Sequence, residues 1–225
     1  MDDQNNNLFA ASAAAWWRYY QFLTHVLTRY DRSNTEYIEA MGQFTQRIRE
    51  DAGEGSRLMT PEDMAEWKRT IDLGTVLHLD IEAFYIFAKI FLDRVADTFG
   101  LVFGVKWKST GSSYSDLSKR FTAVCRDKEL EIRPDNLPEL ILALWKAVVG
   151  YRNASIEHLS DPSSRGTQFA PGRASSIVNM PSPGARGGFS QTEDPHVLFR
   201  TLDEYIEAML TFFEINAKKS PLIVS

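Results

Sequence analysis

A guanidinium and an imidazole a few residues apart are the side chains with which a protein can break RNA without a metal. In this chain Arg152 is followed directly by the amide of Asn153 and, six residues on from the arginine, by His158. Cleavage needs a group with a pKa near neutrality to move a proton between the ribose 2′-hydroxyl and the leaving oxygen, and imidazole is the side chain poised there. That role falls to His158. The transition state gathers negative charge on the phosphate oxygens, which a permanently charged planar guanidinium can hold by paired hydrogen bonds. That role falls to Arg152, and the Asn153 amide can orient either partner. The product would carry a 2′,3′-cyclic phosphate, and DNA would be refused for want of the nucleophile. On an ideal helix, residues six apart point about 120° away from each other and stand about 9 Å apart along the axis. The length of the arginine, fraying of the helix after Ile156, or pairing of Arg152 of one subunit with His158 of another would each close that gap.

The same residues have a plainer reading. A helix C-terminus favours Arg and His because their charges meet exposed carbonyls and the negative end of the dipole. Arg18 and His25 form a looser pair of the same kind in the middle of a helix. Position separates the two pairs, because Arg152 and His158 fall in the last two turns of the penultimate long helix.

The run Tyr151-Arg152-Asn153-Ala154-Ser155-Ile156-Glu157-His158 resembles the signature of the HEPN superfamily of helical-bundle proteins. The resemblance covers the motif and, loosely, the helix order from Thr60 to Lys219. It implies an antiparallel bundle that pairs as a homodimer, with two motifs facing a shared cleft. It further implies a metal-independent endoribonuclease without a cofactor, acting on RNA in a toxin–antitoxin, phage-defence or RNA-processing setting. An antitoxin or a minimal nucleotidyltransferase is the kind of partner it suggests. The chain departs from the pattern at Ser160, where some members carry a tyrosine that a partner enzyme modifies. The alternative is a noncatalytic module of the same fold that binds a nucleotide or a protein partner. A third reading, a coiled-coil scaffold, would rest on the first long helix alone.

Other chemistry has weaker signals. The histidines at 25, 78, 158 and 196 are scattered, and neither His78 with Glu82 nor Glu193 with His196 has strong metal-ligand spacing, so no metal site is expected. There is no Gly-x-Ser-x-Gly elbow, Cys125 has no histidine nearby in sequence, and Gly184 to Gly188 lacks the lysine and hydroxyl of a phosphate loop. The cluster Trp16-Trp17-Arg18-Tyr19-Tyr20 points in every direction around its helix, for which burial between helices or at an interface is favoured over base stacking. From Pro162 to Thr192 the chain has three arginines, Arg165, Arg173 and Arg186, and no acid, and these are candidate contacts for RNA phosphates. A solvent-exposed excursion is the competing expectation for that loop.

The elements that must position these groups follow from the bulk numbers and the periodicity. A 44% hydrophobic and 24% charged composition is that of a globular domain. A net charge of −5 argues against indiscriminate coating of nucleic acid. The lone Cys125 cannot make an intrachain disulfide, and no apolar stretch reads as an export signal or membrane span, so a cytoplasmic setting is expected.

An all-α bundle is expected, with residues 1–52 as a long N-terminal helix packed on a helical domain of 53–225, the two forming one structural unit. Tyr20, Leu23, Leu27, Tyr30, Tyr37, Met41, Phe44 and Ile48 keep one helical phase across Asp31 to Asn34. Thr60-Pro61-Glu62-Asp63 opens the next helix, and an apolar stripe from Leu77 to Val95 makes its continuation central, ending near Gly100 to Gly104. A capping box is expected at Ser113 and Asp116, a helix after Pro138 carries the motif, and Asp194-Pro195 caps the last helix. Within the loop, Thr167 to Ala170 and Ser176 to Met180 have the character of a hairpin. Asp93 and Arg94 on the central helix are possible supports for the motif, with a surface ion pair as the simpler expectation.

Overall fold

A computed structural model describes residues 3–52, 58–108, 112–149, 151, 164–170, 173–181, 189–191 and 194–221; for 3–9, 51–52, 149 and the three strands it describes the backbone only. The chain is mostly helical. Helix α1 (Asp3–Ala52) runs 50 residues without a break at Asp31 to Asn34, as the unbroken apolar phase requires. Helix α2 (Pro61–Phe103) lies antiparallel to it over most of its length and passes straight through Gly74. Then come α3 (Ser113–Asp127), α4 (Leu137–Leu144) continued by a π-helical turn (Trp145–Val149), and α5 (Pro195–Asn216) with a 3-10 turn (Ala217–Lys219). Between the π turn and α5 a small antiparallel sheet has the order β1 (Ser164–Ala170), β2 (Arg173–Pro181), β3 (Phe189–Gln191). The hairpin expected in this loop is thus present, longer than its sequence suggested and with a third strand.

Local chemistry sets the helix ends. Thr60 caps α2 in a full capping box: its hydroxyl accepts from the Asp63 amide while the Asp63 carboxylate accepts from the Thr60 amide. At the other end Gly104 takes the left-handed conformation, φ 63°, that a helix C-terminus favours. Gly100 answers a different need, because a Cβ there would come within 2.8 Å of both the Trp107 indole nitrogen and the Val105 carbonyl. Trp107 uses that space to donate to the Ala96 carbonyl at 3.0 Å.

The cap of α3 corrects the expectation by one residue. Ser112, not Ser113, is the N-cap and accepts from the Ser115 amide, while Asp116 accepts from the Lys108 amide. Asp93 reaches in from α2, its Oδ1 accepting from the Tyr114 amide and the Ser112 hydroxyl, and its Oδ2 pairs with Lys89. Arg94 has the expected surface pairing, with Asp97 at 3.2 Å.

The core gathers around the C-terminal half of α2. The Phe99 ring meets those of Phe103, Trp107, Phe121, Phe212 and Phe213. Leu198, Leu202, Tyr205, Met209 and Phe212, the stripe expected on the last helix, are all buried. Asn216, fully buried, donates to the carbonyls of Glu131 and Phe212 and accepts from the Glu131 amide, tying the end of α5 to the segment before α4.

Candidate functional site

Helix α4 and its π turn deliver the chain to the Arg-Asn-His run. The stripe Leu137, Ile141, Leu144, Val148, Tyr151 stays buried through the π turn, so the extra residue per turn adjusts the helix without losing the core. Short π segments inside helices occur frequently at functional sites. The Tyr114 hydroxyl donates to the Ile141 carbonyl at 3.2 Å and the Tyr114 amide to Asp93, so Tyr114 links the middle of α4 to α2 at Asp93. Tyr151 stacks on Tyr85, ring centroids 3.7 Å apart and planes within 10°. From Ile141 to Tyr151 the chain therefore runs antiparallel to α2 and meets it again at Tyr85.

Next to Tyr151 lies a carboxylate–imidazole pair. His78 Nε2 is 2.8 Å from Glu82 Oε1, one turn apart on α2. His78 Nδ1 and the Tyr151 hydroxyl are both buried with no hydrogen-bond partner among the described residues. Burial, helped by the negative charge of Glu82, pushes the ionisation of Tyr151 far up, so this phenol is a proton donor or acceptor and not an anion. A carboxylate against one imidazole nitrogen fixes the orientation of the ring. The four-residue spacing was visible in the sequence. Its juxtaposition with Tyr151 was not, because it depends on the tertiary Tyr85–Tyr151 stack.

Arg152, Asn153, His158 and Arg186 lie outside the described residues. Arg165 and Arg173 are described by backbone alone: Arg165 is opposite Val178 and Arg173 opposite Ala170. These positions are at opposite ends of the β1–β2 ladder. Its register alone does not bring the two arginines together.

The remaining histidines go elsewhere. His25 is exposed on α1. His196 Nε2 meets Asp31 Oδ1 at 2.6 Å, joining the start of α5 to α1, while Asp194 caps that helix. Among the described residues no group of three or more potential metal ligands comes together. Burial alone pushes the Cys125 thiol up to about 12, so it is not a nucleophile near neutral pH. Among the described residues no helix is long and apolar enough to cross a membrane.

A concavity of about 820 Å³ opens between the N-terminal part of α1, the C-terminal part of α2 and α5. Trp16, Trp17, Tyr20 and Phe213 wall it, with Asp203 and Glu207 also in the lining. The aromatic cluster thus splits in two. Trp16 donates to Thr98 Oγ1 at 2.8 Å and Tyr20 to Asp203 Oδ1 at 2.9 Å, whereas Trp17 is largely exposed. Burial and then Asp203 raise the ionisation of Tyr20. Two carboxylates beside aromatic walls repel a phosphate, so this groove suits an apolar or cationic group, not a nucleotide.

Compared with protein-family models, with curated proteins and with solved structures, the chain matches none of them.

Proposed function

We propose that this chain is a metal-independent endoribonuclease of HEPN type, with Arg152 holding the scissile phosphate, His158 moving the proton and Asn153 orienting one of them. One observation supports the reading above the others: the run starts at a tyrosine locked onto α2, two residues after a π-helical turn and beside the His78–Glu82 pair. A catalytic arginine has to be held in place by its neighbours, and a stacked, buried Tyr151 holds the residue before it.

In the reaction the 2′-oxygen attacks phosphorus and loses its proton to a base, the bond to the 5′-oxygen breaks, and that oxygen takes a proton. The products are a 2′,3′-cyclic phosphate and a 5′-hydroxyl. The biological settings that go with this reading are toxin–antitoxin, phage-defence or RNA-processing systems.

Single-stranded RNA incubated with the full chain in EDTA is expected to yield cyclic phosphate ends. Arg152→Ala and His158→Ala should each lower the rate by about 10²- to 10⁴-fold with unchanged melting. Undiminished cleavage by His158→Ala would overturn the proposal.

The groove walled by Trp16 and Trp17 favours a second reading, a noncatalytic module that takes an apolar partner there. It predicts binding without turnover, lost in Trp17→Ala.

A further inference from the structure

Along α1 and α2 cations are commonly matched by acids: Arg29 pairs with Asp80, Arg32 with Glu36, Arg47 with Glu66 and Arg94 with Asp97. Where the chain turns back from α2 into α3 the matching stops. Lys106, Lys108 and Lys119 are exposed, Arg120 is half-buried, and none of the four makes an ion pair among the described residues.

The fold brings these four onto one surface. After the left-handed turn at Gly104 the chain runs back along α2, because Trp107 turns inward to bond the Ala96 carbonyl and pack on Phe99. Lys106 and Lys108, on either side of that indole, stay outside. Two contacts then lay this strip across α3: the Lys108 amide donates to Asp116 at 2.6 Å, and the Arg120 guanidinium is 3.5 Å from the Lys106 carbonyl. Lys119 and Arg120 follow Asp116 by three and four residues, so the three share a face of the helix. Asp116, the carboxylate in their midst, is half-buried and accepts from the Lys108 amide. Other exposed cations without an ion pair have acids beside them, as Lys68 has Asp72 and Lys128 has Asp127 and Glu129, or stand singly, as Arg18 does.

We propose that Lys106, Lys108, Lys119 and Arg120 form a docking surface for the phosphate backbone of RNA, outside the cleavage motif. It rests on the reading that RNA is the substrate, and it places substrate contacts on α3 and the segment before it, whereas the sequence points to Arg165, Arg173 and Arg186. Ammonium groups on flexible stems act as point charges that need no fixed geometry, which suits a mobile string of phosphates. Neutralising those phosphates releases counterions, the term that drives sequence-independent binding. The chain as a whole carries −5 and repels a polyanion, so a local cationic surface also fixes where RNA lands.

This surface adjoins the approach to the motif. The Trp145 indole, in the π turn, donates to the Ser115 hydroxyl at 3.1 Å, and Ser115 is one turn before Lys119 on α3. RNA lying across α3 therefore reaches the turn from which the chain runs to Arg152. The surface holds no histidine, so it binds and positions RNA and takes no part in the proton transfers.

Fluorescence anisotropy of a single-stranded RNA over a salt series tests the surface, with the full chain in a His158→Ala background that keeps the RNA intact. The triple variant Lys106→Ala, Lys108→Ala, Lys119→Ala is expected to raise Kd about tenfold or more and to flatten the slope of log K against log salt by about 2, since each phosphate contact on a single strand contributes about 0.7. A control with the same change of charge, Lys68→Ala, Arg69→Ala, Lys128→Ala, should keep the wild-type slope. All six side chains are exposed, so both variants should melt as the wild type does. With His158 intact, the surface variant should raise KM for cleavage and leave kcat within about twofold, the signature of lost uniform binding. A surface variant with wild-type Kd and slope overturns the inference, and so does a control that loses as much. RNA bound through this surface by a chain that never cleaves it retires the nuclease reading alone, whereas cleavage with an unchanged KM in the surface variant retires the surface alone. A wild type that binds no RNA overturns both.

Discussion

The two halves of α2 bury opposite kinds of residue. From Ile81 to Phe103 the inward face is Phe84, Phe91, Leu92, Val95, Phe99 and Phe103, each at most 1% exposed. From Pro61 to Asp80 the most buried positions include Asp63, Thr70, Gly74 and Asp80, while Met64, Trp67, Ile71, Val76 and Leu79 face outward. The C-terminal half packs against several helices. The N-terminal half packs chiefly on α1, and the side-chain bonds and ring contacts of α1 beyond Asn34 are, among the described residues, within α1 or with α2.

A buried carboxylate is tolerable only when paired. Asp80 meets Arg29 at 2.6 Å and the Ser33 hydroxyl at 2.8 Å, while Asp63 pairs with Arg47 at 3.5 Å besides serving its cap. Polar pairing thus holds the hairpin half in register and leaves Met64, Ile71 and Leu79 exposed. One continuous helix has a core face at one end and an exposed apolar face at the other.

If that contrast is right, the largest effect comes from the core half. Phe99→Ala removes a ring that touches five others, and should cost about 3 to 5 kcal/mol, lowering the melting temperature by roughly 10 °C. Thermal unfolding followed by far-ultraviolet circular dichroism checks this. A loss below about 1 kcal/mol would mean the aromatic cluster is not the stabilising centre.

How far the sequence revealed this depends on the range of the interaction. Thr60, Pro61 and Asp63, and again Asp194 and Pro195, act within one turn and were legible as caps. The unbroken phase from Tyr20 to Ile48 was legible because periodicity is local too. The shift from Ser113 to Ser112 was not, since Asp93, far away in sequence, takes the Ser112 hydroxyl and the Tyr114 amide. At the candidate site the spacing of His78 and Glu82 could be read, but not Tyr151 against Tyr85. The groove at Trp17 was hidden for the same reason, as it needs three helices at once. Met64, Ile71 and Leu79 lay in plain view, yet only the structure shows that they remain uncovered.

A smaller effect, confined to the bundle and its junction with α1, appears at high pH. Burial raises the ionisation of Tyr114, Tyr151 and Tyr205 well above the usual tyrosine value; Tyr30 is pushed to about 12 by burial and by Asp194 and Asp31. A raised folded-state value means that stability is complete below the unfolded pKa and is lost as pH rises toward the folded one. For Tyr30 that window runs from about 10 to about 12. Melting temperatures should therefore hold to about pH 9 and then fall, and Tyr30→Phe should soften the fall. An unchanged slope in that variant would remove Tyr30 as a contributor.

The smallest effect on the fold belongs to the outer face of the hairpin half. Ile71→Ser changes a half-exposed side chain on a helix whose inner face is already satisfied by Arg47, Arg29 and the two buried carboxylates. Its stability should stay within about 0.5 kcal/mol of wild type, as measured by thermal unfolding. A large loss would place Ile71 in the fold itself and erase the difference between the two halves of α2. A loss within that range would sharpen it.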